Sequence, residues 1–165
     1  MKLNEKYRIS ATTMAITAYA HPSYQTKIFD FFGGYYTSMQ PLELIEEACI
    51  RSGSTYEGRR KSIVYLFHYE KRTPIPISPL HNIFAFPTTS TNHFHCTWLF
   101  LHHILQIVPH PTKTNQSIVT FRNNAQLIVH ATPEFLKSQR QKTAACMTIF
   151  QFPIPPRDDQ ALFLS

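Results

Sequence analysis

The chain predicts an α+β domain, with antiparallel strands and about three helices. Three observations carry that prediction. Short stretches rich in Ile, Phe, Tyr and Thr recur between Pro, Gly and Asn residues, as strands do between turns. Helix-opening chemistry stands at three places: Pro41, Ser54 to Glu57, and Thr132-Pro133-Glu134. Hydrophobic residues make up 43% of the 165, enough for one core and too many for a disordered chain.

Residues 7 to 20 mix Tyr, Ile, Thr and Met, with alternation in Tyr7-Arg8-Ile9-Ser10, and read as one or two strands. Pro22 breaks the run. Tyr24 to Phe32 reads as another strand, and Gly33-Gly34 as a turn into Tyr35 to Met39, an antiparallel meander. Pro41 opens the clearest helix, with Leu42, Ile45, Ala48 and Cys49 at helical spacing and Glu43 in the first turn. Gly53 is its expected stop. Its outer face carries Glu46 and Glu47, which would repel a phosphate backbone, so this helix is assigned to the core. From Ser54 to Phe67 a capping box favours a helix, although Ile63 to Phe67 suits a buried strand equally well.

Pro74, Pro76 and Pro79 demand an extended edge segment without interior sheet pairing. Ile83 to Phe86 and Cys96 to Val108 read as strands, separated by the polar loop Pro87 to His95. Ser117 to Phe121 and Ala125 to His130 flank Asn123-Asn124, a tight hairpin because asparagine tolerates positive φ. Thr132-Pro133-Glu134 opens a last helix reaching about Met147. Pro153, Pro155 and Pro156 end the fold. One domain over 1–152 and a Pro-rich tail over 153–165 are therefore expected.

Net charge is +6 and the isoelectric point about 9.3, so anionic partners are expected. The first candidate site is Arg59, Arg60 and Lys61, directly after Gly58. Three cations near a helix N-terminus oppose its dipole, and anion binding is the compensating gain. Free backbone N–H groups there, and a glycine without Cβ, suit the close approach of a phosphate. The plainer alternative is a solvated basic face. The second candidate is Lys137, Arg140 and Lys142 on the last helix, with Ser138, Gln139 and Gln141 between them. It is either an ordinary wet surface or a strip that tracks a nucleic-acid backbone. No helix-turn-helix partner is visible.

Other classes are disfavoured. Cys49, Cys96 and Cys146 lie far apart, so no zinc knuckle is expected, and the odd count suits a reducing compartment. No secretory signal is visible, and Cys96 to Val108 is too short to span a bilayer. A cytoplasmic protein with no membrane partner is the expectation. His93, His95, His102 and His103 near Cys96 suggest a metal, yet no ligand set has standard spacing, so they read as loop and strand-edge histidines. Trp98 is assigned to the core. No phosphate-binding glycine loop, nucleophile elbow or His-Glu-x-x-His occurs, so neither an enzyme nor a cofactor is expected.

The run Gly53-Ser54-Thr55-Tyr56-Glu57-Gly58-Arg59 resembles the Ser-Ser-Tyr-x-Gly-Arg segment of the competence transcription factor family ComK. Further matches follow in order: Thr13 to Ile16, Pro41 to Cys49, Pro74 to Ile77, Ile83 to Thr88, Cys96-x-Trp98 and Val119 to Asn123. The resemblance implies a transcription activator of DNA-uptake genes. It implies binding to AT-rich promoter DNA chiefly through the minor groove, as homodimers that pair on the duplex. It places Arg59 at the arginine of the Gly-Arg pair. It also implies an adaptor of a Clp protease as a partner. The aromatic-Met-Leu-Tyr-Pro element that longer-tailed members use for this does not occur in 153–165. Two alternatives remain: an interaction protein with the same fold for an acidic protein partner, and a single-strand nucleic-acid binder.

Overall fold

The structure, a computed structural model, describes residues 1–151. The architecture is α+β, with strands that are antiparallel apart from one parallel pair. Strands β1 (Lys2–Leu3), β2 (Thr13–Ala18), β3 (Thr26–Asp30) and β4 (Gly33–Thr37) come first. Helices α1 (Pro41–Arg51) and α2 (Tyr56–Phe67) follow, then β5 (Ile75–Ser78), β6 (Ile83–Pro87), β7 (Thr97–Phe100), β8 (Ile104–Pro109), β9 (Ser117–Phe121) and β10 (Gln126–Val129). Helix α3 (Pro133–Gln151) ends the described chain, one turn beyond the predicted Met147. The tail 153–165 lies outside the described residues.

Seven strands form one sheet in the order β1-β4-β3-β2-β7-β6-β5, and three form another in the order β10-β9-β8. Strands β2, β7, β6 and β5 of the large sheet are buried on both faces, while β1 and most of β4 are not. On β2, Ile16 joins one core cluster and Ala15 the other; on β7, Trp98 and Phe100 face the first and Leu99 the second. Period-two alternation makes this division. The first cluster includes Leu44, Ile45, Ala48 and Cys49 of α1. The second joins the small sheet through Ile107, Val119 and Phe121, and α3 through Leu136.

Several expectations need correction. Tyr7 to Ser10 is not a strand, although Tyr7 and Ile9 are buried in the core. The turn between β3 and β4 is Phe31-Phe32, and Gly33-Gly34 already belong to β4. The expected single strand from Cys96 to Val108 is two. A short 3-10 turn, Leu101–His103, sends β7 into the large sheet and β8 into the small one. Both halves are apolar, so the pattern alone does not reveal the change of sheet. By contrast, the proline segment is the edge strand β5, and Asn124 has φ 69° in the β9–β10 hairpin.

Candidate nucleic-acid interface

Helix α2 begins differently from its predicted capping box. Thr55, not Ser54, is the N-cap, and its hydroxyl accepts from the Gly58 N–H at 2.9 Å. The Tyr56 N–H donates to the Glu46 carboxylate of α1 at 2.7 Å. The N-terminus expected to attract phosphate is therefore already met by the chain's own anion. Glu46 and Glu47 are half-buried rather than an open acidic face. Glu47 pairs with Arg51 at 2.7 Å and with Arg8 at 3.5 Å. A Cβ on Gly58 would stand 3.0 Å from the Thr55 hydroxyl and 3.1 Å from that of Ser54. The space left by this glycine thus serves the cap.

The first cation group is spread over different roles. Arg59 is half-buried, and one terminal nitrogen donates to the Ser52 carbonyl at 3.1 Å, at the end of α1. Arg60 forms an i,i+3 pair with Glu57 at 3.4 Å. Lys61 is exposed, with no polar partner among the described residues. On α3, Lys137 is exposed. Arg140 donates to the Ile104 carbonyl at 2.8 Å, tying α3 to β8. The Lys142 ammonium stands 5.3 Å from the centre of the Tyr69 ring. Gln139, expected on the wet strip, is 2% exposed and donates to the Arg72 carbonyl at 2.7 Å.

Gln139 and Lys142 of α3 reach one segment, the link between α2 and β5, whereas the bonds of Arg59 and Arg60 stay at the end of α1 and the start of α2. His68 ends α2 at φ 61°, and Arg72 has φ 48°. The Thr73 hydroxyl donates to the Tyr69 carbonyl at 2.6 Å. With Gln139 on Arg72 and Lys142 over Tyr69, the link is fixed against α3. A cavity of about 310 Å³ opens beside it, lined by Arg60, Lys71, Arg72, Thr73 and the loop residues Thr89 to Thr91, with Tyr56 and Glu70. Lys71 is exposed, the Arg72 guanidinium lies 4.7 Å from the centre of the Phe135 ring, and the Thr73 and Thr89 hydroxyls donate to the Tyr69 and Ser90 carbonyls. Guanidinium and ammonium groups at such an opening suit an anionic oxygen group. Lys71 and Arg72 were not singled out in the sequence. Their signal was two adjacent cations just ahead of the proline segment.

Burial pushes the Cys49 thiol up to about 12, against the opposing pull of Arg59. Burial likewise pushes Cys146 up to about 12 and raises Cys96. Thiols held protonated are poor nucleophiles. His93 and His95 lie in a loop, not on a strand. Among the described residues no group of His, Cys, Asp and Glu is arranged to hold a metal ion. Likewise no described helix is long and apolar enough to cross a membrane. Trp98 is 1% exposed, with Tyr56 edge-on to its ring at 6.3 Å.

Fold and charge together define a basic α+β domain with a cleft that Arg60, Lys71 and Arg72 line. The family model for ComK protein matches residues 4–154, and the chain belongs to that family. It is 27% identical over 148 residues to the competence transcription factor of Bacillus subtilis (strain 168), covering 89% of this chain and 76% of that protein. No solved structure matches it. The family is one of transcription factors, not an enzyme class.

Proposed function

We propose that this chain activates transcription of competence genes by binding AT-rich promoter DNA, mainly through the minor groove. The observation that carries the reading is the cation-lined cleft at the α2–β5 link, on a chain that belongs to the ComK family. Arg60, Lys61, Lys71 and Arg72 contact phosphate or the groove edge, and Lys137 and Lys142 extend the path along α3. Arg59 and Arg140 hold the elements that present these groups. A narrow A·T groove concentrates negative potential, which favours inserted Arg and Lys. The protein acts in the cytoplasm as a homodimer pairing on the duplex.

Groove choice is tested by replacing A·T pairs with inosine·cytosine pairs. This keeps the minor-groove pattern and changes the major-groove one. The expected result is unchanged affinity. Loss of binding on that exchange rules out minor-groove readout.

A further inference from the structure

The cation-lined cleft shares Thr91 with a second cavity, of about 400 Å³, whose chemistry is different. Its walls include Tyr19, Gln25, Gln40, Asn92, His93 and Phe94, and no Lys, Arg, Asp or Glu lines it. The Gln25 and Asn92 side chains have no hydrogen-bond partner among the described residues. Phe94 is 64% exposed. Its ring stacks on His93 at 5.3 Å and lies 3.8 Å from His95. Tyr19 is stacked on Tyr36 at 5.3 Å, with the Lys27 ammonium 4.2 Å from its centre.

The loop that carries Thr91, Asn92, His93 and Phe94 is held by its own bonds. The His93 N–H donates to the Ser90 carbonyl and the Cys96 N–H to the His93 carbonyl, both at 2.9 Å. The Thr97 N–H donates to the Thr88 hydroxyl at 3.0 Å. These bonds set the loop backbone, while the exposed Gln25 and Asn92 carboxamides are left free to pair with a ligand.

Aromatic faces stack on bases, and carboxamides offer a donor and an acceptor side by side, as a base edge requires. The Lys27 ammonium is held on the Tyr19 ring and does not line the cavity, which therefore does not suit phosphate, and a lining without carboxylates does not suit a metal ion. Its volume lies in the range of small-ligand sites, about 300–1,000 Å³. We propose that this cavity receives one unpaired nucleobase, whose neighbouring phosphate sits in the cation-lined cleft across Thr91. The inference rests on the nucleic-acid reading of that cleft. A base leaves the stack most readily where pairing and stacking are weak, as at TA steps in AT-rich duplex.

The test compares an AT-rich duplex carrying one unpaired adenosine with the same duplex lacking it, using the full chain. The bulged duplex is expected to bind at least about tenfold tighter. Phe94→Ala and Asn92→Ala should each bring the affinities for the two duplexes together, the loss falling mainly on the bulged one. Melting curves beside them verify the fold. Equal binding of the two duplexes, or a gain that survives both substitutions, overturns the proposal. If neither duplex binds, the nucleic-acid reading fails, and adenosine alone then decides the cavity. Amide shifts at Tyr19, Gln25, Asn92 and Phe94 with adenosine up to about 10 mM support a base site, and their absence overturns it.

Discussion

Arg59 and Lys61 stand two residues apart on the same helix, and their surroundings give them different work. Arg59 reaches back to the Ser52 carbonyl and hydroxyl, at 3.1 and 3.4 Å, where the end of α1 leaves acceptors unsatisfied. For it to enter a groove, those bonds must break. Lys61 faces solvent with nothing to break. Arg59→Ala should therefore destabilise the fold by about 1–2 kcal/mol, a melting point lower by several degrees. Lys61→Ala should leave the melting curve unchanged, weaken binding to all DNA about equally and reduce the salt slope by about one unit. A stable Arg59→Ala protein with selective loss of AT-rich binding would return Arg59 to the groove. The position of these cations was legible in the sequence. Their partners were not, because Ser52 and Ile104 are brought to Arg59 and Arg140 by packing between elements.

The start of α2 shows the same division at the scale of an element. The helix was legible from its hydroxyls and its glutamate, and its cap was not. Ser54 and Thr55 both carry capping chemistry. The choice falls to Thr55 because Glu46, ten residues earlier on α1, takes the Tyr56 N–H. Thr55→Ala should cost about 1 kcal/mol, and Ser54→Ala close to nothing, in denaturant unfolding. Equal costs would mean that the cap is shared. The break between β7 and β8 was hidden for a different reason. Ile104 and Trp98 are both buried, so apolar residues stand on either side of Leu101–His103, and His102 and His103 carry no turn signal such as Gly, Pro or Asn. The Asn123-Asn124 turn was legible because a local backbone need, φ 69° at Asn124, selects the residue type.

At the scale of the molecule, the large sheet is the divider. Its central strands are buried on both faces, and Arg60, Lys71, Arg72 and Thr89 to Thr91 meet beside it at the α2–β5 link and the β6–β7 loop. The net charge of +6 announced an anionic partner, and the family match names a class of regulator. What composition did not convey was the pairing of a cationic cleft with a cavity that no Lys, Arg, Asp or Glu lines. The β6–β7 loop gives Thr89 to Thr91 to the cleft and Thr91 to Phe94 to the cavity, and the other walls come from α2, the α2–β5 link, the β2–β3 connection and the start of α1. The central claim is that this surface neutralises duplex phosphates at AT-rich sites. The direct measurement is affinity for AT-rich and GC-rich duplexes across a salt series. With ~5 phosphates neutralised, log K for the AT-rich site should fall with log salt at a slope of roughly −4 to −5, and the AT-rich duplex should bind more tightly. A slope near zero, or no duplex binding at low salt, would contradict the account and favour an acidic protein as the partner.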